Sequence, residues 1–280
     1  MASQQDCMHN FISKAKRENF PVALRVLPRA YRRHLLAVYG FARFVDDLGD
    51  EAAPDDRLRL LGDVESDLAR LYAGSSPRLP PVRALARTVE TCSIPAEPFR
   101  RLVEANRRDQ TVSRYDTFDD LLGYCELSAN PVGHLVLHVF GAAAPRRLTL
   151  SDRVCSALQI IEHCQDVGED YARGRVYLPG RELRRFGCAE TDLAGATTPE
   201  ALRQVVALQT GRAARMLKDG RPLVASLSGY ARLAVAGYVA GGLTTVAALE
   251  RSAHDVLGQA IRPRRSRSLA SWLRILATWR

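Results

Sequence analysis

The sequence is poor in lysine, methionine and tryptophan. Its 280 residues include three lysines (Lys14, Lys16, Lys218), three methionines and two tryptophans. The net charge of +9 is therefore carried almost wholly by arginine. Such a bias often follows genome composition, although a basic surface favours anionic partners such as diphosphates, lipid headgroups or nucleic acid. No CxxC pair and no His/Cys cluster with zinc spacing is present, which removes the common zinc modules. The six cysteines (Cys7, Cys92, Cys125, Cys155, Cys164, Cys188) lie mostly in apolar stretches. There they act as small hydrophobes, and a reducing cytoplasm is expected. No G-x-G-x-x-G fingerprint suggests a dinucleotide, and no helix-turn-helix or zinc finger suggests nucleic acid. The N-terminus lacks the apolar core of a secretory signal. No stretch is read as approaching the roughly 20 apolar residues of a spanning helix. The expectation is a cytoplasmic chain, soluble or peripheral on a membrane surface.

Strand alternation is scarce too, and there is no internal repeat. What recurs is helical periodicity, punctuated by Pro and Gly. It predicts helices near 30–51, 55–73, 80–92, 96–109, 117–141, 151–172, 181–186, 199–219, 221–236, 238–259 and 268–279. Many helices without strands imply one all-α bundle, read as a single domain over 1–280.

The segment YGFARFVDDLGDE (39–51) places Tyr39, Arg43, Asp46 and Asp50 at i, i+4, i+7 and i+11, on one helical face. Asp47 sits at its edge, and Val38, Phe41, Phe44 and Val45 lie opposite. Three carboxylates on one stripe repel unless a cation neutralises them. Mg²⁺ suits such oxygens because it commonly bridges one or two carboxylates to substrate phosphates. Arg43 is placed to grip a phosphate oxygen. Taken alone, the cluster also reads as an acidic, solvated helix end.

A second stripe follows about 120 residues later, in LQIIEHCQDVGEDYARGRVYLP (158–179). Gln159, Glu162, Asp166 and Asp170 share a face at i, i+3, i+7 and i+11. A Gly-containing turn with Arg173, Arg175 and Tyr177 comes next, so carboxylates are followed by cations and a phenol. Two acidic helices of like design are more specific than either alone. Facing each other in a bundle, they would form one polar pocket.

These residues carry a resemblance. The chain resembles the squalene/phytoene synthase family of head-to-head prenyl synthases over about residues 17–263, and within it the bacterial hopanoid-pathway branch of hydroxysqualene synthases. The likeness rests on ENFPVALRVLP (18–28), YGFARFVDDLGDE (39–51), YCELSANPVGHLVL (124–137), QDVGEDYARGRVYLP (165–179) and the GGL…DVL stretch (241–257). The SANPVG block and Gln165 point to the hydroxysqualene branch. The resemblance implies the isoprenoid synthase helical bundle with a central active-site cavity. It implies several Mg²⁺ ions held by Asp46, Asp47 and Asp50 and by Asp166 and Asp170. Tyr39, Arg43, Arg175 and Tyr177 would contact diphosphate or line the ionisation site, and Phe20, Leu24 and Val132 would form apolar walls. Presqualene diphosphate would ionise and rearrange, and water would capture the cation without NADPH. The alternatives are another head-to-head synthase of the family, making presqualene diphosphate, squalene or phytoene, and a non-catalytic helical binding protein. Glu162 stands where the family usually has asparagine, adding negative charge to the site, and His254 replaces a common tyrosine.

Asn130-Pro131 predicts a kink in the 117–141 helix. It would seat Ser128 or Asn130 near the cation or the water, with Tyr124 as an aromatic face, or would simply bend a helix round the core. His134 and His138 are one turn apart, but without a third ligand they read as structural or exposed. In the tail, Leu269, Trp272, Leu273, Leu276 and Trp279 share a face flanked by arginines. This is either an interfacial membrane helix or a terminal helix packed on the body.

Overall fold

The computed structural model describes residues 27–259 and 261–279. The helices are α1 (Arg29–Asp50), α2 (Pro54–Tyr72), α3 (Pro80–Cys92), α4 (Glu97–Arg108), α5 (Phe118–Ser128), α6 (Asn130–Val139), α7 (Pro145–Gln165), α8 (Val167–Ala172) and α9 (Gly180–Phe186). A 3₁₀ turn (Glu190–Ala194) follows, then α10 (Glu200–Asp219), α11 (Arg221–Ser226), α12 (Gly229–Arg251) and α13 (Arg265–Thr278). Among the described residues there is no strand, and the extended pairing found is an isolated parallel bridge between Arg114 and Val176. The all-α class expected from the sequence is what forms.

Contacts group residues 27–111 with 131–148 in one compact unit and 112–130 with 149–279 in another. In the first unit α1 buries His34, Leu35, Val38, Phe41, Val45 and Gly49, a 3.6-residue stripe. Phe41 meets Phe99 of α4 edge-on at 5.1 Å, and Leu61 and Leu68 of α2 and Leu85 of α3 are fully buried in the same unit. The buried Asp67 accepts the backbone N–H groups of Arg78 and Leu79, both at 2.8 Å, which fixes the α2–α3 connection. In the second unit α12 is apolar on most sides and α10 packs along it. A Cβ on Gly242 would lie 2.6 Å from Leu158 and 2.8 Å from Leu217, so this glycine is what lets three helices meet.

Several predicted boundaries are corrected. The 117–141 helix is two helices parted at Ala129, where the residue before Asn130-Pro131 leaves the regular run. Pro145 begins α7 rather than separating helices, as a first-turn proline can. The 151–172 helix is interrupted at Asp166. The 221–236 and 238–259 helices are replaced by the short α11 and the long α12, parted at Leu227 and Ser228, with Gly229 at φ +53°. A segment apolar all round carries no stripe from which to read an end. The reading that no stretch is long and apolar enough to span a membrane is also overturned. Gly229–Arg251 passes by length and composition, and 67% of its apolar window is buried inside the protein, as in a core helix. The cysteines of the described residues form no disulfide, and burial pushes the Cys125 and Cys164 thiols up to about 12.

Candidate active site

In the first unit, α1 carries Tyr39, Arg43, Asp46, Asp47 and Asp50 on one unbroken helix, as the spacing predicts. Tyr39, Arg43 and Asp47 are half-buried, while Asp46 and Asp50 keep exposed surface. Arg43 Nε lies 2.8 Å from Asp47 Oδ1, close enough for an ion pair though not aligned as a hydrogen bond, and Nη2 reaches 3.7 Å from Glu51. α4 supplies a support that sequence reasoning missed. The buried Asn106 donates its amide to Asp46 Oδ1 at 3.0 Å and to the Leu102 carbonyl at 3.2 Å. Gln110 donates to the carbonyls of Gly49 (3.1 Å) and Asn106 (2.9 Å). Gly49 permits this approach, since a Cβ there would stand 2.3 Å from Asn106 Oδ1. Its poor helix propensity, roughly 1 kcal/mol against alanine, is the condition for two helices to touch. Crowding by protein pushes the Asp46 carboxyl up to about 6, and the charges of Asp50 and Asp47 add to that, while Asn106 and Arg43 oppose it. Solvent at its exposed face screens part of the push.

In the second unit, Asp166 is the break between α7 and α8, at φ −101°, ψ 16°. The backbone still bonds across it, from Asp166 N–H to the Glu162 carbonyl (3.0 Å) and from Asp170 N–H to the Asp166 carbonyl (2.8 Å). Gln159, Glu162, Asp166 and Asp170 therefore remain close to one run, although not on one regular helix. Desolvation pushes the Asp166 carboxyl up to about 6, with Asp170 and Glu169 adding their charge. The turn after α8 places Gly174 at φ +81°, and Arg175 N–H closes it onto the Asp170 carbonyl at 2.9 Å.

Here too a residue was missed. His163, 7% exposed, stacks on Tyr177 with centroids 3.8 Å apart and planes at 15°. Its Nδ1 is 3.6 Å from Asp170 Oδ2, and its Nε2 is 3.2 Å from the Gln159 amide nitrogen. The i+4 step from Gln159 and the i+7 step to Asp170 were the available signal. Tyr124 and Tyr115 complete a buried ring cluster, with Tyr124 5.4 Å and Tyr115 5.8 Å from Tyr177. The Arg114–Val176 bridge and the bond from Gly180 N–H to the Tyr115 carbonyl (2.9 Å) bring Tyr115 there.

The remaining candidates are placed as follows. Phe20 and Leu24 lie outside the described residues. Ser128 donates to the Tyr124 carbonyl of its own helix at 3.2 Å, and Asn130, 3% exposed, accepts from Ser156 at 2.9 Å. Both are held by packing partners, which favours the bend over the seat for cation or water. Val132 is 38% exposed. Gln165 donates to the Ile261 carbonyl at 2.6 Å, tying the end of α7 to the C-terminal segment. Arg175 is half-buried at the turn.

Both clusters offer hard carboxylate oxygens, and each holds one carboxyl that a cation would relieve; this donor set fits Mg²⁺. Among the described residues no three His, Cys, Asp or Glu side chains close into a metal cage.

The squalene/phytoene synthase family model matches residues 13–269. The chain belongs to that family. Its members act on prenyl diphosphates, and this chain is accordingly a prenyl-diphosphate-utilising enzyme. A hydroxysqualene synthase of Zymomonas mobilis is 37% identical over 207 residues, covering 72% of this chain and 68% of the relative. One of Rhodopseudomonas palustris is 35% identical over 216 residues, covering 76% and 72%. Among solved structures, the squalene synthase HpnC of Alicyclobacillus acidocaldarius is 38% identical, superposes with a TM-score of 0.76, and covers 88% of this chain and 95% of that one. The family match joins the two carboxylate runs, α1 and the α7–α8 junction, within one matched stretch.

Proposed function

We propose that the chain is a hydroxysqualene synthase, which ionises presqualene diphosphate and adds water to the rearranged cation. The observation that carries the chemistry is geometric: carboxylates are gathered on successive turns twice, Asp46, Asp47 and Asp50 on α1 and Asp166 and Asp170 across the α7–α8 junction, and their mutual repulsion helps to raise Asp46 and Asp166 above the usual carboxylate range. Such groups are poised for a cationic partner rather than for solvent. Mg²⁺ held by Asp46, Asp47 and Asp50 and by Asp166 and Asp170 would supply Lewis-acid and electrostatic stabilisation of the leaving diphosphate. The hydroxysqualene branch is supported by the relatives of that name and by Gln165.

The chain's own residues then act in three ways. Asn106 holds the Asp46 carboxylate in place, and Gln110 ties the end of α1 to Asn106 through the Gly49 carbonyl. Arg43 and Arg175 offset the charge that develops on diphosphate as the C–O bond breaks with its electron pair leaving on oxygen. The ring of Tyr124 would favour a neighbouring carbocation, and the buried cluster that it forms with Tyr177 and His163 would restrain water. Water adds to the cation and loses a proton, so electrons balance without a hydride donor.

The test is incubation of purified protein and Mg²⁺ with presqualene diphosphate, without NADPH, followed by mass spectrometry. Hydroxysqualene is expected. Condensation of farnesyl or geranylgeranyl diphosphate, with presqualene diphosphate untouched, would move the chain to another branch. Inactivity on all three would direct attention to Glu162, whose charge replaces the family's usual amide.

A further inference from the structure

The tail helix α13 does not present the face that its sequence suggests. Ile275 is 2% exposed, and Trp272 Nε1 donates to the Leu233 carbonyl of α12 at 2.9 Å. Arg232 donates to the carbonyls of Leu276 (2.9 Å) and Trp279 (3.1 Å). Ser268 pairs with Thr244 at 3.0 Å. The tryptophan side of the helix is thus occupied by α12. At the outward edge of the same apolar stripe Leu269 and Leu273, one turn apart, are 53% and 58% exposed. Around them Arg262, Arg264, Arg265, Arg267 and Arg274 are exposed. Residues 256–280 contain six arginines and no Asp or Glu.

We propose that this outward face of α13 docks on an anionic phospholipid bilayer. An apolar ridge of two leucines ringed by cations matches a surface whose acyl boundary takes the leucines while its headgroups take the guanidinium groups. A second copy of the chain would bring the same positive charge against it. A bare polyanion would engage the arginines and leave the leucines in water. The surface is independent of the reaction proposed above.

The test is flotation of the full-length protein with vesicles of phosphatidylcholine alone and of phosphatidylcholine mixed with phosphatidylglycerol. Binding is expected to the anionic vesicles only, and to weaken as salt rises. The triple variant R264Q/R265Q/R267Q is expected to lower partitioning by about a hundredfold, and L269S/L273S by about tenfold. Circular dichroism and turnover on detergent-dispersed substrate should match wild type for both variants. Flotation of L269S/L273S at the wild-type level would overturn the proposal. So would equal binding to neutral vesicles, or a wild-type dimer that L269S/L273S splits while vesicle binding persists.

Discussion

On α1 the carboxylates stand on an unbroken helix, and Asp46 is met by the Asn106 amide of α4. At the α7–α8 junction the helix itself breaks at the aspartate, and the neighbours are rings and a histidine. Each arrangement leaves one carboxyl raised to about 6, but the supports differ in kind. Asn106 reaches Asp46 only because Gly49 lets two helices touch, so that site depends on helix spacing. Asp166 depends on a local backbone turn, and its partner Asp170 lies against His163, which Tyr177 holds by stacking. Like charge can therefore be gathered by packing in one place and by local conformation in another.

The largest effects should come from removing the carboxylates. Asp46→Ala and Asp166→Ala are each expected to lower turnover by about a thousandfold or more, measured as diphosphate release. If one variant keeps a tenth of the activity, the two clusters are not equal partners. Next is Gly49→Ala. Overpacking against Asn106 should outweigh the helix-propensity gain and leave the protein about 1–2 kcal/mol less stable in urea unfolding, with turnover reduced about tenfold. Its counterpart Gly168→Ala presses on the tip of Leu257, at 3.1 Å, and reaches the Leu193 carbonyl at an ordinary 3.8 Å, so it should be close to neutral. Equal losses from both would erase the contrast between spacing and local turn. His163→Phe keeps a ring on Tyr177 while removing the neighbour of Asp170. Turnover should fall several-fold with the melting temperature nearly unchanged, whereas His163→Ala should cost about 2 kcal/mol in addition.

The smallest effect is a pH signature. The folded-state carboxyl of Asp46 lies above its ordinary value of 3.8, at about 6. The folded protein therefore binds that proton more tightly than the unfolded chain does. The penalty is absent below about pH 4, grows as pH rises, and is complete above about pH 6. Asp46→Asn should melt higher than wild type at pH 8 and at the same temperature at pH 4, by differential scanning fluorimetry. A gain at both pH values would mean that the charge is not its source.

Much of this was readable beforehand, for definite reasons. The stripe 34, 38, 41, 45, 49 makes α1 and its acidic face a single pattern, and the structure keeps both. The run from Gln159 to Asp170 was readable as a cluster but not as a break, because no proline or glycine marks Asp166. Pro145 misled in the opposite direction, since a proline opens a helix as readily as it closes one. Asn106 was invisible because its partner Asp46 lies 60 residues away, and His163 carried only the cue of its spacing to Gln159 and Asp170, since its stacking on Tyr177 follows from the fold. The tail showed its amphipathic character but not its orientation, as α12 claims the tryptophan side.

The bridge between Arg114 and Val176 has a bearing on the order of assembly. Tyr115 and Tyr177 lie far apart along the chain and meet only when that contact closes a long loop, with its entropy cost. The ring cluster should accordingly consolidate after the helices that flank it, and loosen before they melt. A rise in tyrosine exposure ahead of helix loss on heating would mark the ring cluster, and not the helical scaffold, as the first part of this enzyme to fail.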